Sequence, residues 1–172
     1  FMGGIHTDIN GATPVEGVWA AGEAACASLH GANRLGANST AECLVWGKIT
    51  GEQAAKYVAK QKSLPTPPKE ATVKEEEARV FHKFKNDGKE NIYTLRKELQ
   101  KTMDSQVAVF RNSSDLGSAL KKIRELKERL PQASVKDLGR IYNTDLLSVL
   151  EVDNLLDLAE VILTGALTRT ES

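Results

Sequence analysis

The sequence predicts a mainly α chain: a short strand-and-loop edge at the N-terminal end, followed by a C-terminal helical bundle. Three observations predict it. Residues 3–22 carry brief apolar runs broken by Gly and Asn-Gly turns. Three prolines stand within Pro65-Thr66-Pro67-Pro68 and cannot continue a helix. Beyond them, apolar residues return at steps of three and four, the period of helices that bury one face. The expected divisions are 1–62 for the incomplete edge of a larger domain, 63–70 for a Pro-rich linker and 71–172 for the helical domain.

In order along the chain, Ile5 to Asp8 reads as a polar strand, and Asn10-Gly11 is a hairpin signal before a loop through Pro14. Val18-Trp19-Ala20-Ala21 reads as a short buried strand ending at Gly22. Residues 24–38 read as loop, with a short helical turn near Ala24 to Ser28. A helix is expected from Thr40 to about Lys60, burying Cys43, Leu44, Gly47, Ala54, Tyr57 and Val58 on one broad face. After the prolines, Ala71 to about Asn86 is a charged helix whose Lys74–Arg79 run is solvated, and Gly88 stops it. Asn91 to Phe110 places Ile92, Leu95, Leu99, Met103, Val107 and Phe110 on one stripe. Ser114 to Leu130 does the same with Leu116, Leu120, Ile123, Leu126 and Leu130. Asn143 or Thr144 caps a last helix to about Leu167, apolar on nearly all sides and expected at the buried centre of the bundle.

Composition narrows the function. The chain has 172 residues, and a 41% hydrophobic content suffices for a core. Twenty-three basic residues balance 23 acidic ones, so no net field draws it to nucleic acid or anionic lipid. Cys26 and Cys43 have neither zinc spacing nor a disulfide framework; they read as small buried apolar groups in an intracellular protein, and no metal site is expected. The longest apolar stretch, Leu155 to Leu167, is too short to span a bilayer and contains Asp157 and Glu160, so direct membrane insertion is not expected. His6 and His82 read as surface histidines, and Trp19 and Trp46 as packing residues.

The densest chemistry lies in His30-Gly31-Ala32-Asn33-Arg34-Leu35-Gly36-Ala37-Asn38-Ser39. Glycines admit close backbone approach, Arg34 is a planar fork for a carboxylate or phosphate, and the segment runs into a helix start that favours negative charge. Ser39-Thr40-Ala41-Glu42 reads as a capping box with Ser39 at the N-cap. From the residues alone, Arg34 suits either an anionic ligand or a bridge between loops. Ser39 is either a plain cap or a ligand contact, and Glu23 either an exposed loop carboxylate or an acceptor for sugar-like hydroxyls. His30 could touch a ligand or order the loop; Asn33 and Asn38 satisfy loop backbone groups.

With its flanks, Met2-Gly3-Gly4-Ile5-His6-Thr7-Asp8, Gly17-Val18-Trp19-Ala20-Ala21-Gly22-Glu23 and Trp46-Gly47, this segment resembles the flavoprotein subunits of succinate dehydrogenase and fumarate reductase. Tyr142-Asn143-Thr144-Asp145-Leu146-Leu147 resembles the same subunits near their C-terminus. Gly36 is more similar to these than to the related L-aspartate oxidases, which tend to carry alanine there. The resemblance implies FAD as cofactor and a subunit that interconverts succinate and fumarate, passing electrons to an iron–sulfur subunit. It implies that Arg34 binds substrate carboxylate and that Glu23, Ser39 and Thr40 contact FAD, with His30 and Asn38 as further candidates. Threonine at position 40, where the family often has leucine, restricts that contact to backbone. The family's G-x-G-x-x-G βαβ unit and capping domain have no counterpart here, so the chain reads as a C-terminal piece, inactive alone and unable to retain FAD without the rest of the flavoprotein. Expected partners are a dicarboxylate, the iron–sulfur subunit and the rest of the flavoprotein. The expected location is cytoplasmic, peripheral to the inner face of the cell membrane through partner subunits. A non-catalytic helical module for docking a partner, or a piece of an L-aspartate oxidase, are the alternatives.

Overall fold

A computed structural model describes residues 3–31, 33–63, 66–85 and 88–169. Phe1, Met2 and Ala32 of the sequence motifs, Leu64 and Pro65 of the expected linker, and Asn86, where a helix was expected to end, lie outside these residues. Among the described residues five α-helices and one two-stranded sheet are defined, in two compact units, Phe1–Pro67 and Pro68–Ser172. No described helix is long and apolar enough to cross a membrane. The mainly α class expected from the sequence is the class observed.

In the first unit, β1 (Ile5–His6) pairs in parallel with β2 (Ala25–Cys26), Ile5 opposite Ala25. The Asn10-Gly11 signal marks a real turn: the Gly11 N–H donates to the Asp8 carbonyl, and the Asp8 carboxylate accepts from the N–H groups of Asn10 and Ala12. It does not join two adjacent strands, because the partner of β1 arrives some twenty residues later. The expected buried strand at Val18–Ala21 is reduced to a single antiparallel bridge, Ala12 to Trp19, with Val18 exposed. A run of four apolar residues states burial but not pairing: residues 11–13 lie alongside, the Ala20 N–H donating to the Gly11 carbonyl and the Thr13 N–H to the Val18 carbonyl about that one bridge.

Helix α1 covers Asn38–Lys60. Its half-buried and buried residues are Ser39, Glu42, Trp46, Ile49, Thr50, Gln53, Ala54 and Tyr57, which share one side of the helix. The broader apolar face expected from the sequence is corrected: Cys43, Leu44, Gly47 and Val58 are exposed, and Cys26 is only half-buried. The segment that α1 packs against meets it along a narrow line, with Gly11 against Thr50, Gly22 against Cys43 and Trp19 set edge-on to Tyr57 at 5.0 Å. Ala20 is the one buried hydrophobic residue of this unit among the described residues.

The second unit holds α2 (Glu70–Phe81), α3 (Ile92–Gln106), α4 (Ser113–Arg129) and α5 (Thr144–Thr168). Every position of α2 before its last two residues is exposed, in keeping with its charge run. The other three form the core. Ile92, Leu95 and Leu99 of α3, Leu116, Ala119, Ile123 and Leu126 of α4, and Val149, Val152, Leu156, Ala159 and Leu163 of α5 are buried together. Their alternating steps of three and four are the seam of antiparallel neighbours in a helical bundle. Asparagine starts each of the three: Asn91, Asn112 and Asn143 accept hydrogen bonds from first-turn N–H groups.

Two expectations about the bundle change. Helix α3 stops at Gln106, so Phe110 lies beyond the stripe and is 95% exposed. Helix α5 is buried on one side only, with Leu147, Leu158 and Val161 exposed on the other. Two neighbouring helices cover roughly half of a helix circumference, so an apolar residue on the far side stays uncovered.

Candidate functional site

The chain enters α1 through a strained residue. Ala37 sits in the left-handed region at φ 69°, a conformation that costs a non-glycine residue about 1 kcal/mol. The Asn38 N–H reaches back to the Leu35 carbonyl at 3.4 Å, and helix α1 starts at Asn38. The expected capping box is therefore corrected. Ser39 lies inside the first turn, Ala37 occupies the N-cap, and no side chain caps the helix. Glu42 does not reach back to Ser39. It is buried, 8% exposed, with a carboxylate oxygen 2.7 Å from Nε2 of His30. A box read from four residues assumed that local geometry decides where Glu42 goes; the His30 ring, arriving from twelve residues upstream, decides it instead.

Gly22 sets the other wall. It has φ 70°, and a Cβ there would lie 2.9 Å from the Cys43 sulfur on α1. Glycine thus lets the loop lie against the helix and delivers Glu23, in a single turn of 3-10 helix (Gly22–Ala24), beside the start of α1. The Glu23 carboxylate is 63% exposed, and Nη2 of Arg34 approaches it at 3.9 Å while the Arg34 side chain is 20% exposed. That distance gives charge attraction without a short hydrogen bond, leaving the fork free to take a better partner.

The structure therefore brings Glu23, His30, Arg34 and the first turn of α1 into one neighbourhood. Asn38 and Thr40 are exposed there, and Ser39 is half-buried. The donor set suits a molecule with both negative charge and hydroxyl groups. Uncapped backbone N–H groups and a guanidinium offer donors, and an exposed carboxylate offers an acceptor. No carboxylate occupies the first turn of α1 to compete for those N–H groups. These features fit a flavin nucleotide, with the backbone of Ser39 and Thr40 and the Glu23 carboxylate available to hold it. Glu42 is the residue that sequence reasoning missed as part of this neighbourhood. No local signal could have shown it, because its spacing from Ser39 imitates a cap.

Residues 1–40 match a family described as FAD binding domain, and residues 96–172 match one described as fumarate reductase flavoprotein C-term. Both matches are to flavoprotein families. A fumarate reductase flavoprotein subunit of Mycobacterium tuberculosis is 40% identical over 99% of this chain and 30% of its own length. The corresponding subunit of Escherichia coli is 36% identical, with 99% of this chain and 28% of the relative covered. Among solved structures, E. coli quinol fumarate reductase superimposes with a TM-score of 0.92 at 36% identity, over 98% of this chain and 29% of the other. Mycobacterium smegmatis Sdh1 in complex with UQ1 gives the same TM-score and identity over 98% and 28%. The chain belongs to the family of fumarate reductase and succinate dehydrogenase flavoprotein subunits. It spans about 30% of the length of the curated relatives it matches.

Proposed function

We propose that this chain is the C-terminal part of an FAD-dependent subunit that interconverts succinate and fumarate and passes electrons to an iron–sulfur partner. The observation that carries the reading is the convergence of Arg34, Glu23 and the uncapped start of α1, within a chain whose relatives are fumarate reductase flavoproteins. Bound FAD supplies the exchange of two electrons with the dicarboxylate. Arg34 holds one substrate carboxylate through its two-pronged donor set and so fixes the orientation of the carbon backbone. Glu23 accepts from flavin-side hydroxyls. The N–H groups at the start of α1, around Ser39 and Thr40, favour negative charge at whatever edge faces them. His30 and Asn38 complete the neighbourhood, His30 by ordering the loop and Asn38 by forming the helix entry. As in quinone-linked complexes, membrane attachment comes through partner subunits, with this chain peripheral on the cytoplasmic side.

Arg34→Ala in the full-length subunit tests the reading. The expected outcome is a fall in kcat/KM for succinate of about 100-fold or more, with FAD content kept, because an interaction that orients the substrate is lost. Activity within a few-fold of the parent would remove Arg34 from the substrate site.

A second reading, a helical module that docks a partner subunit, is favoured by one feature: the exposed Leu147, Leu158 and Val161 on α5. The two readings are compatible. Arg34 substitutions act on turnover, whereas substitutions on that α5 face act on assembly.

A further inference from the structure

Among the described residues, the exposed α5 face and the exposed Leu138, Ile141 and Tyr142 loop are unpartnered apolar surface, and the Arg129 cluster is a partly exposed ion-pair network whose charges answer one another. The pair between half-buried His30 and buried Glu42 is different, because it ties the ligand-bearing loop to the helix that follows it. Glu42 is a carboxylate in the second turn of α1 with 8% exposure, and its partner is His30 Nε2 at 2.7 Å. A carboxylate is a costly group to bury and stays buried where a specific donor meets it. The segment between the pair holds Arg34, four residues after His30 and eight before Glu42, together with the left-handed Ala37. Arg34 itself makes, among the described residues, a single ion pair, the 3.9 Å approach to an exposed Glu23. The His30–Glu42 bond is thus the short, partly buried clasp of a segment whose Arg34 ion pair is long and reaches an exposed partner.

We propose that Glu42 is a positioning residue for the substrate site: through His30 it clasps the 30–42 loop and sets where the Arg34 guanidinium meets the substrate carboxylate. The inference rests on the reading of Arg34 as the carboxylate ligand. Geometry at Arg34 matters steeply, since a displacement of about 1 Å in a positioning contact is worth on the order of 100-fold in rate. Glutamine at position 42 keeps an oxygen acceptor for the His30 N–H, whereas leucine keeps volume and removes it.

The test uses the full-length subunit with its FAD and measures succinate oxidation with a dye acceptor. Glu42→Leu is expected to raise KM for succinate about 10-fold with kcat lowered less and flavin content unchanged. Glu42→Gln is expected to restore KM to within about threefold of the parent. His30→Ala breaks the same bond from the loop side and serves if Glu42→Leu fails to fold. The double variant is expected to be no worse than the more affected single one, as for two halves of one interaction. Arg34→Ala separates the two ways of failing. If Arg34→Ala abolishes turnover while Glu42→Leu or His30→Ala leaves KM within twofold, the clasp is overturned and the Arg34 reading stands. If Arg34→Ala itself leaves KM and kcat unchanged, the underlying reading falls and the clasp with it. Equal effects of Glu42→Gln and Glu42→Leu on KM, or additive effects in the double variant, would also overturn it.

Discussion

At the scale of single residues, charge placement decides more than charge content. Arg129 at the end of α4 is held by Glu90 at 2.8 Å, by Glu98 of α3 at 2.9 Å and by Glu125 at 3.3 Å, and Lys122 adds a second contact to Glu98 at 2.8 Å. Hydrogen bonds from Arg129 and then Lys122 hold the Glu98 carboxyl down at about 2. Glu90, Glu125 and Glu160 are lowered in the same direction by Arg129, Lys122 and Lys127 respectively. A carboxyl whose folded-state value lies below its unfolded one adds stability that is complete above the unfolded value and is lost as pH falls through the folded one. Thermal stability of the chain should therefore hold near neutral pH and decline as pH drops from about 5 toward 2. Glu98→Gln should cost about 1 kcal/mol near neutrality, the cluster being partly screened by solvent, and flatten that decline. A melting temperature that follows pH equally in parent and variant would show that Glu98 is not the group responsible.

At the scale of elements, the two kinds of helix here behave differently because their neighbours differ. Helices α3, α4 and α5 bury seams against one another, and cations on α4 reach acids on both neighbours: Lys122 to Glu98, and Arg124 and Lys127 to Glu160. Leu156→Ala, at a side chain 1% exposed in the seam, should destabilise the chain by about 2–5 kcal/mol through the cavity it leaves. Leu158→Ala, two residues on and 51% exposed, should cost less than about 1 kcal/mol. Urea unfolding of both variants checks the contrast, and similar midpoints would mean that α5 packs in another rotation. Helix α1, by comparison, buries a line containing Glu42 and Thr50, and leaves Leu44, Val45 and Val58 exposed. Its stability rests on fewer apolar contacts.

At the scale of the whole molecule, the two units are unequal in core. The second carries the buried cluster, and in the first Ala20 is the one buried hydrophobic residue among those described, while Ile5, Ile9, Val15 and Leu35 are exposed. Apolar surface of that kind is ordinarily covered by more protein. The chain corresponds to about 30% of its curated relatives' length, and its first 40 residues match a family described as FAD binding domain. The 172-residue chain supplied with FAD, succinate and a dye acceptor should therefore show no turnover. Measurable succinate-dependent dye reduction by the purified chain would contradict this.

What the sequence by itself determined was whatever depends on local period and local chemistry. The three- and four-residue steps located α3, α4 and α5 and most of their buried residues, because a regular helix presents those spacings on one face whatever it packs against. A cap at Asn143 or Thr144 was legible, the structure giving it to Asn143, and Asn10-Gly11 was legible as a turn, for the same reason. The His30–Ser39 motif identified the segment in which the candidate site lies. Tertiary structure alone decided which side of each element finds a partner. It paired β1 with a strand far along the chain, turned the buried line of α1 toward Trp46 and Thr50, and left one flank of α5 bare. It also took Glu42 from an apparent helix cap and set it against His30. Contacts between residues distant in sequence depend on where the chain returns in space, and no spacing within a single element records that.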